Sequence, residues 1–114
     1  MFLMMFVGLF LVAASDASAQ KCKPKANQVA LFEDWKYTGN CVVVNAGELY
    51  DVEDVGFPND NLSSILFGRN VKSVELCEDV NLAGSCQTFY KSVGDFNKLR
   101  IGNDTVSSMK INLR

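Results

Sequence analysis

An internal repeat constrains the fold of this chain more than any other feature. Val29-Ala30-Leu31-Phe32-Glu33-Asp34, with Gly39 and Cys41 beyond it, aligns with Val74-Glu75-Leu76-Cys77-Glu78-Asp79, Gly84 and Cys86 at an offset of 45 residues. Val, Leu, Glu, Asp, Gly and Cys coincide in place. A second match follows at an offset of 44: Asn59-Asp60-Asn61-Leu62-Ser63-Ser64 is echoed by Asn103-Asp104-Thr105-Val106-Ser107-Ser108. Self-similarity at a fixed period is the signature of repeat architectures, and a solenoid needs three or more copies to bury its faces. Two copies point instead to one domain with a pseudo-twofold axis.

Each hexamer reads amide, acid, any, any, hydroxyl, hydroxyl. It offers oxygen ligands and no nitrogen or sulfur ligand, which suits a hard cation such as Ca²⁺. One such segment would be an ordinary polar turn, but two in register need a shared explanation.

The residues before the repeat have a different character. Phe2 to Ala14 is almost wholly apolar and is followed by Ala17-Ser18-Ala19, a small-x-small cleavage pattern. Residues 1–19 therefore read as a secretory signal peptide, and the apolar run is short for a transmembrane helix. Residues 20–27 form an N-terminal extension, and Lys21, Lys23 and Lys25 within it read as a solvated tail. The repeat occupies 28–114, divided into 28–70 and 71–114. A chain of this size holds one domain with a small core. With 11 basic and 13 acidic residues, its formal net charge is −2. Such a balance gives no strong field to draw nucleic acid or an acidic membrane.

Four cysteines all follow the apolar leader. An even count in a small secreted chain reads as two disulfides. The spacing contains no C-x-x-C pair and the chain has no histidine, which argues against zinc. Cys77 and Cys86 flank a short hairpin, and Cys22 is nearest in sequence to Cys41. That favours Cys22–Cys41 with Cys77–Cys86. The rival joins Cys41 to Cys86 at equivalent repeat positions and leaves Cys22 for Cys77.

Strand signals are short and evenly spaced: Gln28 to Phe32, Cys41 to Asn45, Tyr50 to Val55, Ser64 to Phe67, Ser73 to Cys77, Cys86 to Tyr90, Ser92 to Phe96 and Val106 to Leu113. About eight such strands with turn residues between them predict an all-β sandwich or Greek-key barrel. Helical turns at Val52 to Val55 and Asp95 to Leu99 also fit the local sequence.

With the strands placed, Phe32-x4-Tyr37-x-Gly39 resembles the aromatic–aromatic–glycine signature of a βγ-crystallin Greek-key motif. In that signature the glycine gives the hairpin freedom to fold back and the aromatics pack over it. Both hexamers match the calcium signature of microbial-type βγ-crystallins, N/D-N/D-x-x-S/T-S, at every specified position. The similarity spans about Gln28 to Arg114 and implies a sandwich of two four-stranded Greek keys. The second motif departs from the signature, with Cys77 and Leu82 in the aromatic places. A Cys77–Cys86 bond would clip that hairpin covalently.

The resemblance implies two Ca²⁺ ions, each sharing ligands between motifs. One set is Ser63, the Asn61 carbonyl, the Asp104 carboxylate and the Glu78 carbonyl. The other is Ser107, Thr105, Asp60 and Glu33 in the same roles. Asn59 and Asn103, with Ser64 and Ser108, would support the loops through side-chain-to-backbone hydrogen bonds. Few charged ligands imply a Kd of ~10⁻⁶–10⁻³ M. Asn61-Leu62-Ser63 and Asn103-Asp104-Thr105 are also glycosylation sequons, read here as by-products of the calcium pattern. Trp35 reads as a packing residue.

Without histidine or a nucleophile-elbow serine, an enzyme is not expected. The expected protein is a secreted monomer, extracellular or periplasmic, with calcium stabilising a structural or stress-protective domain. Other functions on the same scaffold are a protease inhibitor or killer-toxin-like effector, with Gly47 to Gly56 as its reactive loop, and calcium-dependent adhesion to an extracellular or cell-surface partner.

Overall fold

The computed structural model describes residues 22–96 and 105–114. The leader expected over residues 1–19 lies outside them, as do Asn103 and Asp104. Among the described residues, seven antiparallel strands and a 3-10 helix follow in order: β1 Gln28–Asp34, β2 Thr38–Asn45, β3 Gly47–Leu49, the 3-10 helix Val52–Val55, β4 Ser64–Phe67, β5 Val71–Asp79, β6 Ala83–Phe89 and β7 Ser108–Leu113. They form two sheets, ordered β2-β1-β4 and β3-β7-β5-β6. No helix among the described residues is long and apolar enough to cross a membrane.

Side chains alternate between the two faces of a strand, and β1 and β5 use both. Val29 and Leu31 of β1 enter the core between the sheets with Val74 and Leu76 of β5. Met109 and Ile111 of β7 join them, together with Phe57, Leu62, Phe96 and Val106 from the connections. Burying a side chain of this kind contributes ~1.5–3 kcal/mol. The opposite face is covered too: Ala30, Phe32 and Cys77 are buried outside that cluster, under the hairpins that follow them.

The two halves exchange their third strands. β3 belongs to the first half, yet it pairs with β7 of the second, with Gly47 facing Ile111 and Leu49 facing Met109. In return, Val93 of the second half bridges to Ile65 of β4. The segment Ser92 to Phe96, expected as an eighth strand, is thus a single bridge among the described residues. Its neighbours draw the backbone elsewhere: the Ser92 hydroxyl accepts the Phe67 N–H at 2.8 Å, and the Gly94 carbonyl accepts the Lys36 N–H at 2.9 Å.

Tyr50 to Val55, expected as a strand, contains the 3-10 helix that was the other local reading. The Asp51 carboxylate caps it by accepting the Glu53 N–H, and Gly56 ends it in the left-handed region at φ 83°. Side-chain capping of this kind satisfies an otherwise orphan donor. The reactive-loop candidate Gly47 to Gly56 is therefore a paired strand followed by a capped helix rather than an extended loop.

The covalent frame joins Cys22 to Cys41 and Cys77 to Cys86. The first bond fastens the segment before β1 to β2. The second links directly opposed residues of β5 and β6. The rival pairing across the repeat is not formed.

Candidate metal centre

Each motif begins with a hairpin folded over its own sheet. In the Trp35–Thr38 turn the central residues Lys36 and Tyr37 both have positive φ, at 54° and 62°. Asn81 and Leu82 repeat this at 62° and 59°. Positive φ at both central positions matches the twist of a tight hairpin, but it is strained for residues other than glycine. Gly39 at φ 81° and Gly84 at φ 78° follow. Phe32 faces Cys41 while Asp34 faces Thr38, so two residues, Gly39 and Asn40, stand against Glu33. Cys77 faces Cys86 while Asp79 faces Ala83, which sets Gly84 and Ser85 against Glu78. Two-against-one bulges with a left-handed glycine disrupt the ladder locally and bend the strand. Glu33 and Glu78 occupy these irregular points.

The final serine of each hexamer locks the hairpin. The Ser64 hydroxyl donates to the Asp34 carbonyl at 2.7 Å and accepts the Tyr37 N–H at 2.9 Å. The Ser108 hydroxyl donates to the Asp79 carbonyl at 2.5 Å and accepts the Leu82 N–H at 3.0 Å. Both serines are fully buried. In the first motif Phe32 and Tyr37 also meet edge to face, with ring centres 6.0 Å apart. Burial raises the Tyr37 pKa above its ordinary value.

The fifth hexamer positions bind the halves together. Ser63 donates its N–H to the Phe32 carbonyl at 3.0 Å, and its own carbonyl accepts the Phe96 N–H at 3.3 Å. Ser107 donates to the Cys77 carbonyl and accepts from Val52, both at 2.9 Å. Each serine is thus tied to the first strand of its own motif and to the connection of the other motif. Their side chains are buried, whereas Asn59, Asp60 and Asn61 are exposed and Thr105 is half-buried.

Asp60 crosses to the second motif. It has a left-handed backbone at φ 60°, a conformation that aspartate tolerates better than most residues. Its N–H reaches the Val106 carbonyl at 3.3 Å, and its Oδ1 accepts the Ser107 hydroxyl, also at 3.3 Å. Two oxygens bound to one Ca²⁺ at ~2.4 Å each stand roughly 3 Å apart when adjacent in its shell. The Asp60 and Ser107 oxygens are near that spacing, and the hexamer side chains around them all offer an oxygen ligand. The residues present fit the ion.

The two glutamates lie beside the opposite serines from those with which the implied ligand sets group them. Ser63 is bonded to Phe32 and Ser107 to Cys77. Glu33 therefore neighbours Ser63, and Glu78 neighbours Ser107. The resemblance allotted Glu78 to the Ser63 set and Glu33 to the Ser107 set. This neighbourhood follows from strand pairing, because each hexamer runs directly into the strand that pairs with the first strand of its own motif: β4 with β1, and β7 with β5. Asp104 and Asn103 lie outside the described residues, so the acid of the Ser63 set is not placed.

Sequence reasoning did not find the cross-motif bonds of Val52 and Phe96. Backbone groups make them, so no residue type marks them. Among the described residues, the single compact group of acids and cysteines is Glu75, Cys77 and Cys86. Its sulfurs are consumed by the disulfide, which removes them as metal ligands.

A sandwich of two Greek-key motifs, with folded hairpins and exchanged third strands, defines the class. The particular fold is that of the βγ-crystallin domains. It superposes with a TM-score of 0.71 and 27% identity on a domain solved in work on the evolution of the eye-lens βγ-crystallin fold, covering 82% of this chain and 93% of that one. A βγ-crystallin domain from Clostridium beijerinckii matches with a TM-score of 0.66 and 24% identity, over 75% of this chain and 97% of that one. One from Flavobacterium johnsoniae gives 0.67 and 23%, over 75% and 94%. No family model and no curated protein matches the chain.

Proposed function

We propose that this is a secreted calcium-binding domain, in which two Ca²⁺ sites stabilise the βγ-crystallin fold for a structural or stress-protective role outside the cell. The observation that carries the reading is the bond from Ser107 to Asp60, 47 residues apart in sequence. It puts an acid of one hexamer on a hydroxyl of the other. Asp60, Ser107 and Thr105 would hold one ion beside Glu78. Ser63 and Asn61, with Asp104, would hold the other beside Glu33. Bound calcium would supply positive charge that ties the two loops together. Asp60 turns its carboxylate toward the second motif, Ser107 presents a hydroxyl from a buried backbone, and the bulges at Glu33 and Glu78 open the ladder next to the loops.

Anything that binds only the native state stabilises it, by ~2.7 kcal/mol at a hundred times Kd. The two disulfides support an oxidising compartment. The reading accordingly assigns calcium a stabilising role and not a large conformational switch. Calorimetric titration should find about two ions per chain, and EDTA should lower the melting temperature. A chain that takes up no calcium and melts identically with and without EDTA would contradict this function.

A further inference from the structure

We infer that the Cys77–Cys86 disulfide is a positioning element for the calcium site built on Ser107, so that ion occupancy and the redox state of this pair are coupled. The inference rests on the calcium reading above. Cys77 sits at a junction of three connections. It is covalently bonded to Cys86, its cross-strand partner on β6. It pairs with Ser108 on β7. Its carbonyl accepts the Ser107 N–H at 2.9 Å, and the Ser107 hydroxyl reaches Asp60. The path from disulfide to proposed ligand is therefore one residue and one hydrogen bond long. Glu78 is the next residue along β5.

The other motif has no such link. There Phe32 occupies the place of Cys77, and an aromatic contact with Tyr37 holds the hairpin. Cys41, at the place of Cys86, is bonded to Cys22 in the segment before β1. In the second hairpin Asn81 and Leu82 carry the same positive φ without an aromatic pair over them. The disulfide, together with the Ser108 hydroxyl, holds that strained turn against the strand that seats Ser107.

Reduction by a dithiol would proceed at Cys86, whose side chain is half-buried while Cys77 is fully buried. A reagent thiolate attacks the Cys86 sulfur, the S–S bond breaks, and Cys77 leaves as thiolate and takes up a proton. The second reagent thiol displaces Cys86 and closes the reagent's own disulfide. The protein pair gains two electrons and the reagent loses two. With the clip open, the turn relaxes and the Cys77 carbonyl no longer fixes Ser107. Linkage is reciprocal, so whatever reduction removes from calcium affinity, calcium adds to the resistance of the disulfide.

The test equilibrates the protein in dithiothreitol redox buffers, with Ca²⁺ or with EDTA. Free thiols are then alkylated, and each pair is read by peptide mass. Calcium is expected to raise the dithiol-to-disulfide ratio needed to reduce Cys77–Cys86 about tenfold, which is ~30 mV for a two-electron couple. Cys22–Cys41 should move much less, and Asp60→Ala should remove the difference. If calorimetry shows calcium bound but the Cys77–Cys86 midpoint stays put, or both pairs shift equally, the coupling is wrong. If calorimetry shows no calcium at all, the calcium reading has failed first. None of these readouts requires the reduced protein to stay folded.

Discussion

Ser64 and Ser108 hold equivalent places in the two motifs, and each closes a folded hairpin with one hydroxyl. Each donates to the carbonyl of the aspartate that ends the first strand and accepts an N–H from the strained turn. Both are fully buried, so removing the hydroxyl leaves a backbone donor and an acceptor without a partner, away from water. Such loss costs ~1–3 kcal/mol for each unsatisfied group. Ser64→Ala and Ser108→Ala should each lower unfolding stability by about 2 kcal/mol, measured by urea denaturation in EDTA so that ion binding does not contribute. Stabilities within 0.5 kcal/mol of wild type, on the order of an ordinary surface change, would show that the hydroxyls are not the locks.

The glycines of the hairpins should be far less replaceable than the glycine that caps the 3-10 helix. Gly39, Gly84 and Gly56 all have positive φ, which costs an L-residue ~1–2 kcal/mol. At Gly56 an added methyl meets open space, whereas at Gly39 and Gly84 it runs into the carboxylates of Asp34 and Asp79. Gly56→Ala should therefore lose about 1 kcal/mol and Gly39→Ala clearly more. The double variant Asp34→Ala/Gly39→Ala should recover the excess, because the obstructing side chain is gone. Equal losses at Gly39 and Gly56 would place the whole cost in the backbone and none in the clash.

The repeat, the alternation of Val29 and Leu31, and the doubled hexamers made the two-motif sandwich legible in the sequence. These are local patterns, and local patterns survive without a structure. The exchange of β3 was not legible. Gly47-Glu48-Leu49 is too short to show a period, and its partner, Met109 to Ile111, lies far along the chain on β7. The 3-10 helix competed with a strand over the same four residues, and the Asp51 cap decided it. Lys36, Tyr37 and Leu82 adopt positive φ that their side chains do not advertise. The placement of Glu33 beside Ser63 and Glu78 beside Ser107 has the same origin. The oxygen-bearing side chains were written in the hexamers, but which strand lies beside which loop is set by pairing across the sheet.

Alkaline stability should carry the signature of Tyr37. Burial raises its pKa in the folded state. The unfolded tyrosine ionises near its usual value of ~10, so above that pH the unfolded chain binds fewer protons than the folded one. Stability then falls as pH rises, and it is fully present only below the unfolded pKa. Tyr37→Phe keeps the ring against Phe32 and removes the titrating hydroxyl. The slope of stability between about pH 9.5 and 11 should be shallower in the variant. Identical slopes would assign the alkaline loss to other groups, among them Tyr50, whose pKa is raised chiefly by its hydrogen bond to Glu48.

Asp60 separates the two proposed ions, because its carboxylate serves the motif in which it does not lie. Asp60→Asn keeps the size and one acceptor oxygen but removes the charge, and charge count is what sets calcium affinity in oxygen-ligand sites. Calorimetry on the variant should find one ion bound as in wild type and the second weakened by tenfold or more, ~1.4 kcal/mol. The surviving ion would be the one held with Ser63. Ser63→Ala in the Asp60→Asn background should then abolish the remaining binding, and Ser107→Ala should add little. If Ser107→Ala instead removes the surviving ion, Asp60 serves its own loop, and the crossing of acids between motifs is wrong. Melting in EDTA provides the control: Asp60→Asn and wild type should agree there within a few degrees and diverge only when calcium is added.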